Sequence, residues 1–360
     1  MQIYVNIYAN HTKITEKLNQ NLKNLKFILL FFLTCIGVHN TLAQDKFSAR
    51  KFIGQVLYLY SPIHNDLIDK YNKTPTSVHL PNTTFNVGKR IDYMFYITDT
   101  INKTIILNDL PQMVYEIAND YANRGSYAYL EKNKITYNAG DNYICFYINQ
   151  QTEYVMKQIR AFPSSQIANI IPKKLHTENY YRFLKNSNSE IPTQKYGIYG
   201  LMQEWNAYQH ATRVAFNVKR YYEREGYTDV SLWEDFFANY YEYQTAYSEF
   251  KYFILKYLEY AENSQPEFYE KLLKDVNFKK TYIEINKNYE DTISQFNLYK
   301  PAVFSLLSKA GITTEETSME GFSLLFLDRV GINTYGNIDK LFRDALEDEA
   351  LKEIEKKIRN

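Results

Sequence analysis

The feature that most constrains this chain is an apolar run from Phe27 to Val38, preceded by Lys23 and Lys26 and followed by Thr41-Leu42-Ala43. A basic flank, a short apolar core and small residues before a cleavage point are the three parts of a secretory signal. The run falls well short of the roughly 20 apolar residues that a membrane-spanning helix needs. Residues 1–43 are therefore expected to leave as a signal peptide with a long polar lead, and the remainder to be periplasmic or secreted. Translation from a non-Met codon near Leu22 or Leu25 would shorten that lead. The bulky Phe32-Leu33-Thr34 ahead of Cys35 argues against lipidation at that cysteine. Export also decides what can hold the mature chain together. Only Cys145 survives cleavage, so no intramolecular disulfide can form and a buried core must supply the stability.

Charge narrows the partners. The chain has 42 basic and 41 acidic side chains; Lys13, Lys17, Lys23, Lys26 and Glu16 leave with the signal, so 38 and 40 remain. Phosphate binding needs a concentrated basic face, and this balance argues against a nucleic-acid partner. It offers no polybasic membrane patch either, and no membrane span is expected after cleavage. The compositional outlier is 35 tyrosines. A ring with a polar tip suits half-buried positions generally, and also surfaces that meet a protein or carbohydrate ligand.

The pattern predicts an α+β fold: a mixed strand and helix domain over 44–190, followed by an all-helical domain over 195–360. Phe52 to Tyr60, Arg90 to Thr98, Lys103 to Leu107 and Asn142 to Asn149 carry Val, Ile, Tyr and Phe between turn-forming clusters and read as strands. Asp109, Pro111 and Gln112 read as the start of a helix whose apolar stripe is Leu110, Met113, Val114, Ile117 and Tyr121. The polar segment Lys185 to Pro192 marks the boundary. Beyond it, helices are expected over Gly200–Glu223, Ser231–Asn263, from Pro266, over Lys279–Leu298, Pro301–Lys309 and Asn337–Ile358, the last with a Glu353–Lys357 surface pair. No fixed-period repeat suggests a solenoid.

Most catalytic signatures are absent: no Gly-rich phosphate loop, no G-x-S-x-G elbow, no Cys-x-x-Cys or His-x-x-x-His spacing in the mature chain. His64, His79, His176 and His210 are scattered and read as unpaired. Cys145, inside Tyr143-Ile-Cys-Phe-Tyr-Ile148, reads as a small buried hydrophobe. The helix from Gly200 is more informative. Leu201, Glu204, Tyr208, Ala211, Ala215, Val218 and Tyr222 share one face, apolar except for Glu204. A carboxylate in such a seam is costly unless it meets a cation, a metal or several donors, which makes Glu204 a site candidate. Its bland alternative is a packing role. A second stripe, Gln203, Asn206, His210, Arg213 and Asn217, is polar throughout and is expected to face water or a polar groove.

Glu204-Trp-Asn-Ala-Tyr208 resembles the helix that brings a glutamate to zinc in zincin-type metallopeptidases. Those enzymes also carry a His-Glu-x-x-His helix, and the segment in that order here is Tyr115-Glu-Ile-Ala-Asn119. The resemblance implies that Tyr115 and Asn119 stand where the zinc-binding histidines would be, with Glu116 in the acid–base position, and hence an inactive relative. No cofactor is implied, and no dependence on zinc is expected. The expected function is an exported, non-enzymatic binding or structural protein of unknown protein or carbohydrate ligand. The alternative is a hydrolase of metallopeptidase-like fold using Glu116, Glu204 and His210, which would have to converge on one pocket.

Overall fold

A single strand buried on both faces organises the fold. The computed structural model describes residues 47–225, 229–319 and 321–360, so the expected signal segment lies outside the described residues. Strand β3 (Asn142–Asn149) pairs antiparallel with β4 (Thr152–Gln158) and, among the described residues, with no other strand. Side chains alternate across a strand. Ile144, Phe146 and Ile148 accordingly enter one core cluster, and Cys145 and Tyr147 the other. This double burial explains an apolar run without polar alternation. Cys145 is buried as expected, and its thiol is pushed well up by desolvation.

Helices cover both faces. On one side lie α1 (Ala49–Tyr60), α2 (Pro62–Lys73) and the 30-residue α3 (Lys103–Lys132). Three of these segments correct the strand reading. Phe52–Tyr60 is helix α1, because Phe52, Ile53, Val56 and Leu57 bury one face at helical spacing. Lys103–Leu107 is the first turn of α3, capped by the Asn102 side chain, which accepts from Thr104 and Ile105 N–H. Arg90–Thr98 holds only a 3₁₀ turn, Tyr93–Tyr96. Asp109 is not a cap either: it sits inside α3 and accepts from the Thr98 backbone N–H at 2.6 Å and hydroxyl at 2.8 Å. Short ladders β1 (Ser77–Leu80) and β2 (Thr83–Asn86) complete the mixed region.

The C-terminal region is helical. After a short α4 (Pro192–Lys195) come α5 (Ile198–Asn217), α6 (Lys219–Glu225), α7 (Val230–Gln244), α8 (Ala246–Ser264), α9 (Pro266–Lys274), α10 (Val276–Lys309), α11 (Gly336–Leu346) and α12 (Glu349–Arg359). It is not entirely so: β5 (Thr314–Met319), β6 (Phe322–Leu327) and β7 (Val330–Asn333) form a three-stranded antiparallel sheet. The 231–263 stretch divides at Thr245 into α7 and α8, whereas the break expected at Pro301 does not occur. Lys357 pairs with Glu262 and Glu353 with Lys356, in place of the expected Glu353–Lys357 pair.

The α+β class stands. The Lys185–Pro192 segment, read above as a boundary, lies within one compact unit, Ala49–Asn360. Helix α5 threads that unit: Ile198, Leu201, Met202 and Trp205 belong to one core cluster, and Ala207, Ala211, Val214 and Phe216 to the other. Among the described residues, no helix is long and apolar enough to cross a membrane.

Candidate functional site

Helices α3 and α5 face each other, and Glu204 is the polar centre of their contact. Its stripe is buried as the spacing predicts, with Leu201, Ala211, Ala215, Val218 and Tyr222 all in the core. Glu204 itself is 4% exposed. Its Oε2 accepts a short bond from the Tyr115 hydroxyl and a 3.3 Å bond from Asn119 Nδ2. Tyr115 and Asn119 are four residues apart on α3 and so project from one face. Desolvation lifts the Glu204 carboxyl to about 7; the two donors and the more distant Arg182 guanidinium pull it down, and Glu116 pushes it up. Tyr115 is held protonated, since burial and the facing carboxyl push its phenol well above its ordinary value. Glu116 is half-buried, accepts from Gln112 Nε2 at 2.8 Å, and is raised by the same desolvation.

Beside this contact opens a cavity of about 280 Å³ whose lining includes Tyr115, Tyr208, Tyr243, Asn179, Arg182 and Glu249. The Tyr115 and Tyr208 rings lie 4.8 Å apart in its wall. Glu249, on α8, is 3% exposed and raised to about 7 by burial. It accepts from the Thr177 hydroxyl and, at 2.8 Å, from Asn179 Nδ2. Asn179 in turn accepts from the Tyr208 hydroxyl at 3.2 Å, which ties Glu249 to the tyrosine wall of the cavity. A larger hollow of about 620 Å³, lined by Val230, Glu234 and the β6–β7 turn, contains no such convergence.

His210 takes no part in the cavity. It lies six residues beyond Glu204, about 120° around the helix. Its Nε2 donates to the Tyr147 carbonyl at 2.8 Å, and its Nδ1 lies 3.3 Å from His64 Nε2. Ser61 Oγ is 2.5 Å from His64 Nδ1, and Asn217 Nδ2 donates to that hydroxyl at 2.9 Å. One set of neutral tautomers satisfies the series, with each group donating to the next from Asn217 through Ser61, His64 and His210 to the Tyr147 carbonyl. Burial pushes His210 down to about 4 and His64 well below its ordinary value.

The histidine pair corrects the reading of unpaired histidines. It also corrects the expectation for the polar stripe of α5. Gln203, Asn206 and His210 are buried; Gln203 donates to the Asn119 carbonyl on α3, and Asn206 and His210 both donate to the Tyr147 carbonyl of β3. A buried carbonyl needs a donor, and this stripe supplies donors to both of these. Of the three expected site residues, then, Glu204 and Glu116 lie near one another while His210 is engaged on another face. Sequence reasoning missed Glu249, Arg182 and Asn179. Glu249 carried the same signal as Glu204, a carboxylate at core spacing with Ala246 and Phe253.

The positions that the resemblance assigns to zinc do not fit that ion. A phenol held neutral by burial and a carboxamide are both aimed at the carboxylate as donors, whereas zinc wants deprotonated imidazole, thiolate or carboxylate. Among the described residues, no three His, Cys, Asp or Glu are grouped so as to hold a metal. Comparison with protein-family models, with curated proteins and with solved structures finds no match to this chain.

Proposed function

We propose that this is an exported, non-enzymatic binding protein whose cleft opens beside the place that a zinc centre would take in a zincin-type relative. The observation that carries the reading is the meeting of Tyr115, Asn119 and Glu204. These are the three positions the zincin resemblance singles out, and Glu204 is joined to the other two by hydrogen bonds across more than 80 residues of chain. The carboxylate that would have met a metal is satisfied by two neutral donors, so the arrangement favours recognition over hydrolysis. The tyrosine walls and the adjacent cavity supply a surface on which a ligand can rest.

The reading is tested by restoring the ligands. The double variant Tyr115→His/Asn119→His should take up about one equivalent of zinc with Glu204 as the third ligand, as measured by elemental analysis after dialysis. The unaltered protein should retain much less than one equivalent and lose no stability to a chelator. A folded double variant that binds no zinc would sever the resemblance, and a zinc equivalent held by the unaltered protein would favour the hydrolase. Export is tested separately: the mature N-terminus should be Gln44, and recovery of the uncleaved chain from the cytoplasm would refute it.

A further inference from the structure

We infer that the 280 Å³ cavity beside Glu204 binds an organic ammonium group, with Glu249 as its counter-ion and the tyrosine rings as its walls. This rests on reading the cleft as a binding site and assigns the chemistry of what enters it.

The first observation is a carboxylate without a cation. Among the described residues, three partly or fully buried acids find one, Glu355 with Lys251 at 2.9 Å, Asp120 with Arg124 at 2.8 Å and Asp339 with Arg343 at 2.8 Å, whereas Glu204 is closed off by Tyr115 and Asn119 and does not line the cavity. Glu249 is as deeply buried as any of these and lines an open cavity, yet its partners are a hydroxyl and an amide. Each of its oxygens accepts a single bond there, so lone pairs remain for a ligand donor. The second observation is the wall. Tyr115, Tyr208, Tyr243 and Tyr335 all line the same space. Aromatic faces carry negative potential and attract ammonium groups, most strongly where water is excluded. Glu178 and Glu242 stand on the lining as well, and among the described residues Arg182 is its one cation. Arg182 acts on Tyr115, Tyr208 and Glu204, whereas Glu178 acts on Glu249. The cavity therefore has a negative end at Glu249, which suits a protonated amine, either of a free alkylamine or of a lysine side chain.

Ionising Glu249 is part of the binding. Its carboxyl sits near 7 under the influence of burial and Glu178, and Tyr208 and Tyr289 are the other titratable groups coupled to it. Amine affinity should thus rise as the pH passes upward through about 7, with a proton released on binding.

Calorimetric titration of the purified protein with cadaverine, the diol of the same length, glutarate and an acetylated lysine amide tests this. Cadaverine or the lysine amide should bind, at least about tenfold more tightly at pH 8 than at pH 5.5, while the diol and glutarate should not. Preference for cadaverine would identify a free amine as the source, and preference for the lysine amide a protein side chain. Glu249→Gln should weaken binding at least about tenfold. Should that variant fail to fold, Glu242→Gln at the exposed rim should weaken it measurably. Glutarate binding through Arg182 without amine binding would overturn the inference and leave the binding-protein reading intact. Silence from the whole series would also overturn it, while that reading stands or falls on zinc uptake by Tyr115→His/Asn119→His.

Discussion

Glu204→Ala should lower unfolding free energy by about 3 kcal/mol near pH 5.5, because it strands one buried and one half-buried donor and opens a void. The Tyr115 hydroxyl and Asn119 Nδ2 both end on the Glu204 carboxyl. A buried donor left without its acceptor costs roughly 1–3 kcal/mol. Glu204→Gln keeps an acceptor oxygen and should remain within about 1 kcal/mol of the unaltered protein at that pH. Glu223→Ala, which removes an exposed acceptor of the Tyr299 hydroxyl, should change stability by no more than about 0.5 kcal/mol. The glutamine variant adds a pH signature. Burial raises the Glu204 carboxyl from its ordinary 4.5 to about 7, so the folded state keeps a proton that the unfolded chain gives up. The stability this contributes is present below 4.5 and disappears as the pH rises through 7. Glu204→Gln should therefore gain on the unaltered protein across that window, by up to roughly 3 kcal/mol. Urea titration of the three variants at several pH values measures both effects. Equal, small losses from Glu204→Ala and Glu223→Ala would mean that Glu204 is merely another polar residue.

Acid should act through the histidine pair in the opposite direction. His210 is held at about 4 in the folded state against an ordinary 6.5, so the unfolded chain takes up protons first as the pH falls. The favourable contribution is complete above 6.5 and is lost progressively toward 4, by roughly 3 kcal/mol for this one ring. Protonation would also reverse the only direction in which the Ser61, His64 and His210 series can donate. His210→Gln removes the titrating ring while leaving an amide that can reach toward the Tyr147 carbonyl. Its stability relative to the unaltered protein should therefore improve steadily as the pH is lowered below 6.5. Taking the difference between the two proteins cancels Glu204 and Glu249, which favour the folded state in acid. Parallel pH profiles would mean that the histidines are solvated and that their burial has no thermodynamic consequence.

Sequence by itself determined the periodic features. Spacing placed Glu204 in a buried seam of α5, and the apolar run around Cys145 read as a strand with that cysteine buried. These are local consequences of how side chains project from a helix or a strand. Tertiary structure alone decided the rest. Phe52–Tyr60 and Lys103–Leu107 are short apolar runs whose composition suits strand or helix equally, and only the surfaces they pack against resolve them. Glu204 was legible as a candidate, but its partners Tyr115 and Asn119 lie more than 80 residues away and became partners only when α3 met α5. The polar stripe of α5 was indistinguishable from a solvated face, because what it satisfies are backbone carbonyls of α3 and β3, which leave no mark on side-chain pattern. A hydrophobic period reports which face is buried against apolar groups. It is silent on a polar face buried against carbonyls, and it is this hydrogen-bonded face that fixes α5 to β3 and sets Glu204 against Tyr115.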